Sequence, residues 1–187
     1  MRKEFHIVNN VFSDSVLDIL NTHCEIKSTD KSSYDIWPDQ TTNNKTIAEC
    51  FSHMLDGRDR IMVVQDLYSN PALPCYKKRW IKDANIAIQK IPKGGYITKH
   101  RDNCLFGLTV FLNEIDLGGD FIWWDEQDNL HTVRPECNTG VMAYYDHELV
   151  RGAAHQVTPV ESDQIRYTVQ LFVFMPNAPE NYATYED

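Results

Sequence analysis

The sequence predicts a mostly β fold with helices at its N-terminus, an α+β chain around a two-sheet jelly roll or a compact antiparallel barrel. Three observations predict it. The hydrophobic pattern changes near residue 84, with helical spacing before it and strand-like alternation after it. Beyond that point about eight short apolar runs fill about 90 residues, separated by turn signals at Pro92-Lys93-Gly94-Gly95, Gly118-Gly119 and Asp128-Asn129. No helical crossover intervenes, which disfavours a parallel sheet.

Each element follows from its local pattern. Ser13-Asp14 is placed to cap a helix carrying Val16, Leu17, Ile19 and Leu20 on one side. Residues 28–44, rich in Ser, Thr, Asp and Asn, read as a loop. T-I-A-E-C-F-S-H-M-L, 46–55, has helical spacing and ends near Gly57, and a further helix over 58–69 stops before Pro71. The strands are expected at 85–91, 96–100, 105–112, 120–124, 130–133, 140–145, 154–157 and 167–174. At 187 residues the chain suits one domain, 1–187, with helical support over 1–83 covering an outer face of a core over 84–175.

Composition excludes several classes. The net charge of −9 and the lack of a basic stripe argue against a nucleic-acid partner. The densest basic stretch, Lys77-Lys78-Arg79 with Lys82, reads as a solvated face or as a basic rim near an anionic substrate. No apolar run is long enough for a membrane span. The start, M-R-K-E-F-H-I-V, carries an acid and a histidine where a signal peptide needs apolar residues, so a cytoplasmic chain is expected. The five cysteines are scattered and form no C-x-x-C. They read as reduced, mostly buried thiols rather than a zinc ribbon or a disulfide framework.

The chemistry centres on Y-I-T-K-H-R-D, residues 96–102, where His100 and Asp102 stand two apart. With seven histidines and 27 acidic residues in 187, about one such match arises by chance, and His23-x-Glu25 is a second. Context separates them. Within a strand, residues two apart project to one face, so His100 and Asp102 can both point inward. His155, in G-A-A-H-Q-V-T-P-V, begins another strand and is the candidate third ligand. Two histidines and a carboxylate on one side of a metal leave the other side open, a set that suits iron(II). Eleven residues on, Arg166 opens the otherwise apolar strand R-Y-T-V-Q-L-F-V-F. Its guanidinium is costly to bury without an anion and has a fork matched to a carboxylate. Thr168 shares its face and offers a hydroxyl.

In these segments the sequence resembles the 2-oxoglutarate- and iron(II)-dependent oxygenases, in particular their prolyl-4-hydroxylase-like branch. The resemblance runs over roughly residues 84–175. G-G-Y-I-T-K-H-R-D resembles the segment supplying the first two ligands, and T-V-F-L-N-E followed by G-G-D-F resembles the next two strands and their turn. H-Q-V-T-P-V resembles the distal-histidine motif, and R-Y-T-V-Q-L-F the strand supplying the basic residue for the co-substrate. The resemblance implies a double-stranded β-helix core with His100, Asp102 and His155 as iron ligands. Arg166, with Thr168 in support, would bind the distal carboxylate of 2-oxoglutarate. It implies use of dioxygen to hydroxylate a C–H bond, with 2-oxoglutarate decarboxylated to succinate and ascorbate as a candidate reductant. The implied substrate is a prolyl residue in a protein or peptide; a free amino acid or other small molecule is the alternative, and a non-catalytic ligand-binding module is a third. The chain departs from the pattern in two places. Gln89 or Lys90 stands where prolyl hydroxylases usually carry a tyrosine against the co-substrate, and Val110 or Phe111 where oxygen-sensing members carry another.

The remaining candidates read mainly as structure. His23, His131 and His147 are expected at the surface, His53 on a helix and His6 on an N-terminal strand. Of Trp123 and Trp124, alternation sends one inward, to the core or to a substrate, and one outward, exposed for protein binding. Tyr96, Tyr144 and Tyr145 read as packing. Trp37 anchors the long polar loop or belongs to a substrate-covering lid, and Gly118-Gly119 reads as a turn.

Overall fold

A computed structural model describes residues 5–25, 35–36, 51–73, 81–102, 104–125, 127–144, 153–174 and 183–185. In order the elements are β1 (Phe5–Asn9), α1 (Asp14–Cys24), β2 (Asp35–Ile36), β3 (Phe51–Met54), α2 (Gly57–Ser69), β4 (Asn85–Ile91), β5 (Ile97–Asp102), β6 (Cys104–Phe111), β7 (Phe121–Trp124), β8 (Leu130–Val133), β9 (Thr139–Tyr144), β10 (His155–Val157), β11 (Arg166–Phe174) and β12 (Ala183–Tyr185). They form a seven-stranded sheet, β1-β9-β6-β11-β4-β3-β2, and a five-stranded sheet, β12-β5-β10-β7-β8. Every described strand pairing is antiparallel. No described helix is long and apolar enough to cross a membrane.

Strand alternation divides the larger sheet into two faces. On one, Ile86, Ile88, Phe106, Leu108, Val110, Val169, Leu171 and Val173 pack with Val16 and Leu20 of α1 and Val63 and Leu67 of α2. The four helix residues are spaced i, i+4, the stripe that an amphipathic helix buries, and each such side chain stabilises by about 1.5–3 kcal/mol. On the other face, Ile91, Phe111 and Val141 meet Phe121, Trp123, Val133 and Val157 of the smaller sheet. The molecule is thus layered as helices, larger sheet, smaller sheet, with the second interface holding the polar residues discussed below.

Several expectations are corrected. Residues 51–54 form β3 rather than the end of a helix, so His53 lies on a strand; 46–50 fall outside the described residues. The apolar spacing fits a helical period, but pairing of Phe51–Met54 with Lys90–Ala87 extends the sheet edge and overrides it. Within the expected loop 28–44, residues 35–36 form β2; the rest, with Trp37, lies outside the described residues, as do Lys77-Lys78-Arg79, Tyr145 and His147. Ser13 takes the N-cap position of α1 in extended conformation, yet its hydroxyl meets Ser15 Oγ and makes no capping bond. Of the described cysteines, Cys104 is buried, Cys24 half-buried and Cys137 exposed, all as free thiols.

Candidate metal centre

His100 and Asp102 come from β5 and His155 from β10, neighbouring strands of the smaller sheet, with His155 directly opposite His100. Their ligand atoms lie within 4.8 Å of one another, the one such cluster among the described residues. Asp102 sits between the imidazoles, with Oδ1 3.5 Å from His100 Nε2 and Oδ2 3.3 Å from His155 Nε2. Those separations are at the long end of hydrogen bonding. They match donors around one ion, since two atoms each about 2.1 Å from a metal at a right angle stand about 3 Å apart.

Both imidazoles are held by the same local device. His100 Nδ1 donates to Thr98 O at 2.7 Å and His155 Nδ1 to Ala153 O at 3.0 Å, each a carbonyl two residues back. With Nδ1 donating, Nε2 is the atom turned toward Asp102, where it carries the second proton of an imidazolium or, deprotonated, offers its lone pair to a metal. Burial opposes the charged form of His100, but the hydrogen bond and charge of Asp102, with the Thr98 carbonyl, outweigh it and raise its pKa. Burial also opposes the Asp102 anion, yet the charge of His155 and the hydrogen bonds of both imidazoles hold its pKa well below the usual carboxylate range. The donor set of two imidazoles and one carboxylate therefore fits a ferrous ion.

A bulge aims these side chains. Val157 faces Ile97 while His155 faces His100, so β5 takes three steps where β10 takes two. The extra residue lets Ile97 pack against the inner core while His100 still points at Asp102. Across the sheet, His131, Trp123, His155 and His100 stand in register. Phe121 stacks on His155 with ring centroids 5.2 Å apart, and Phe5 of β1 meets His155 edge-on at 5.3 Å. Sequence reasoning missed Phe5, because nothing local shows that an N-terminal edge strand reaches the opposite sheet.

Arg166 and Thr168 lie on the facing sheet and are 1% and 0% exposed. Arg166 Nε donates to Gly119 O at 2.9 Å, and the guanidinium lies 5.1 Å over the Phe111 ring. Gly118-Gly119 is more than a turn. Both have φ near +70°, and a Cβ on Gly118 would stand 2.1 Å from Pro159 O, one on Gly119 3.1 Å from Arg166 Cδ. Thr168 Oγ1 is buried with no hydrogen-bond partner among the described residues, the kind of orphan that a bound polar ligand satisfies. Register also decides between Gln89 and Lys90. Gln89 stands opposite Thr168 and accepts from Gln170 Nε2 at 2.9 Å, on the inner face. Lys90 turns to the helices and donates to Cys24 O at 2.7 Å. Phe111, also opposite Thr168, faces inward, and Val110 packs toward the helices.

The other candidates resolve as follows. His23, expected at the surface, is half-buried in the last turn of α1 and bonds Asp59 Oδ2 at 2.8 Å instead of Glu25. His131, expected at the surface, is half-buried, bonded to Asp125 Oδ2 at 3.0 Å and stacked on Trp123 at 4.0 Å. Trp123 is the inward tryptophan, while Trp124 is half-buried with Lys99 Nζ 4.4 Å from its ring. Tyr96 is half-buried and His6 lies on β1.

Solved structures share this arrangement of strands. A prolyl-4-hydroxylase from Pseudomonas putida is 14% identical, with a TM-score of 0.62 over 91% of this chain and 92% of that one. A prolyl hydroxylase from Trichoplax adhaerens, in complex with a hypoxia inducible factor oxygen degradation domain peptide, is 16% identical at a TM-score of 0.64, over 91% of this chain and 83% of its own. The fold is that of the 2-oxoglutarate–iron(II) oxygenases. The same oxygenase fold occurs in a non-heme α-ketoglutarate-dependent carbocyclase of nogalamycin biosynthesis, 11% identical at a TM-score of 0.64 over 90% of this chain and 78% of that one. No protein-family model and no curated protein matches the sequence.

Proposed function

We propose that this chain is an iron(II)- and 2-oxoglutarate-dependent dioxygenase that hydroxylates a C–H bond, most closely a prolyl 4-hydroxylase-like enzyme acting on a protein or peptide. In this reading residues 1–187 are one oxygenase domain, and the two sheets are the halves of a double-stranded β-helix, a jelly roll. The observation that carries it is the convergence of His100, Asp102 and His155 opposite a buried Arg166 and an unsatisfied Thr168 hydroxyl. His100 and His155 would offer Nε2 to iron, kept in that tautomer by Thr98 and Ala153, and Asp102 would offset part of the ion's charge. Bound there, ferrous iron supplies the redox chemistry that couples dioxygen and decarboxylation of 2-oxoglutarate to attack on an unactivated C–H bond. Arg166 and Thr168 would grip the distal carboxylate of 2-oxoglutarate, and Phe5 and Phe121 would keep water from the His155 side of the centre.

The peptide substrate rests on the Trichoplax relative, whose structure holds a peptide. A small-molecule substrate is the second reading, favoured by the carbocyclase with the same fold. Anaerobic protein with iron(II) and 2-oxoglutarate should develop a visible charge-transfer band; its absence at saturating ligand sinks the proposal. Mass spectrometry of a peptide library against a metabolite extract separates the two substrate readings. Loss of succinate production in Asp102→Ala separates both from a non-catalytic module.

A further inference from the structure

A second charged residue stands next in the chain to the Gly119–Arg166 contact. Asp120 follows Gly119, the residue whose carbonyl accepts from Arg166 Nε. The main chain of Asp120 is clamped: its N–H donates to Thr158 Oγ1 at 2.9 Å and its carbonyl accepts from Thr158 N at 2.9 Å. Its side chain is 26% exposed, but Oδ1 is buried and has no hydrogen-bond partner among the described residues. Among the described residues two cations act on it from different elements: Arg134, just after β8, with Nε 4.0 Å from Oδ1 and mostly in solvent, and Arg166 of β11, whose field Asp120 feels. A buried carboxylate oxygen that lacks a hydrogen bond is costly as an anion, and the two arginines are what offset that cost.

We propose that Asp120 is the second ionisable group of the Arg166 pocket, and that seating a dicarboxylate against Arg166 is coupled to proton uptake from solvent by the Asp120 carboxylate. The coupling follows from charge. A carboxylate paired with Arg166 cancels the field that favours the Asp120 anion and adds a like charge nearby. Burial already pushes the Asp120 carboxyl up, with Arg134 and then Arg166 pulling it down. Removing the pull of Arg166 on binding therefore raises its proton affinity further. By linkage, the dicarboxylate binds more tightly as pH falls toward that of Asp120. The inference rests on the proposed co-substrate role of Arg166 and adds to it a group that sets how strongly, and at what pH, that role is expressed.

The test is isothermal titration calorimetry of 2-oxoglutarate into anaerobic iron(II)-loaded protein, at pH 6 and pH 8, in paired buffers of different ionisation enthalpy. The dependence of heat on buffer counts protons taken up, and ligand titration contributes equally to every variant. Wild type should take up more protons per ligand than Asp120→Asn at pH 6, and Asp120→Asn should bind several-fold more tightly at pH 8. Asp120→Ser serves in its place if the amide variant does not fold. Equal proton counts in wild type and variant overturn the proposal, as does weaker binding by Asp120→Asn at pH 8. No binding by wild type at either pH instead sinks the co-substrate reading itself, and the coupling with it.

Discussion

On one face of β11, Tyr167, Val169, Leu171 and Val173 pack against the helices; on the other, Arg166, Thr168 and Gln170 look toward the smaller sheet and the metal centre. The first face obeys the rule that buried means apolar. The second is equally buried at Arg166 and Thr168 and breaks that rule twice within three residues. A strand that needed only to fold would not carry a guanidinium and an unsatisfied hydroxyl inside. The difference teaches that, here, the residues that stabilise and those placed for chemistry alternate along one strand, so single substitutions can separate them.

The sharpest break comes at the centre that the second face looks toward. Asp102→Ala should weaken iron(II) binding at least about 100-fold, beyond the effect of losing a supporting group alone, as read by metal titration of chelator-treated protein. Arg166→Met should weaken 2-oxoglutarate binding by about 2–5 kcal/mol while iron affinity and fold survive, because a packed apolar chain replaces a buried cation. On the opposite face, Leu171→Ala should cost about 2–5 kcal/mol in denaturant unfolding and leave the iron affinity of the folded fraction unchanged. If Leu171→Ala instead lowers iron affinity as strongly as Asp102→Ala, the two faces are not separable. Thr168→Val sharpens the contrast: stability should rise by about 1 kcal/mol as an orphan hydroxyl leaves, and 2-oxoglutarate binding should weaken about fivefold.

The smallest effect concerns pH. His100 has a raised pKa in the metal-free fold, so its protonated form stabilises that fold below the ordinary histidine pKa of about 6.5. That contribution is lost as pH rises through the raised value. Asp102 is depressed, so its contribution is present above its ordinary value and lost as pH falls below it. Chelator-treated protein should therefore melt at a lower temperature at pH 8 than at pH 6. Iron-loaded protein should show the reverse trend, since metal and proton compete for Nε2. Identical trends with and without iron would place the ion elsewhere.

Much of this was legible in the sequence. Alternation located β4 to β11 to within a residue or two at their ends, and the order His100, Asp102, His155, Arg166 picked out the polar residues of the second interface. What stayed hidden depends on partners far away in the chain. His23 and His100 have the same spacing to an acid, but His23 turns to Asp59 on α2 and His100 to Asp102. Residues 51–54 carry a helical spacing that only the β4 edge converts to a strand. Phe5 gives no local sign of reaching His155, and Asp120 reads only as the first residue of the 120–124 strand until its buried oxygen is found next to the Gly119–Arg166 contact.

The sequence by itself determined the alternation, the turns and the residue types offered for chemistry, because side-chain direction along a strand is a local property of the backbone. Only the tertiary structure decided which side chains meet. It chose Gln89 over Lys90 for the inner face, used the β5 bulge to bring His100 opposite His155, and set Gly118 so close to the Pro159 carbonyl that no side chain fits, with Gly119 tight against Arg166. These choices depend on register between strands distant in sequence, and register is fixed by packing two sheets together rather than by any one segment.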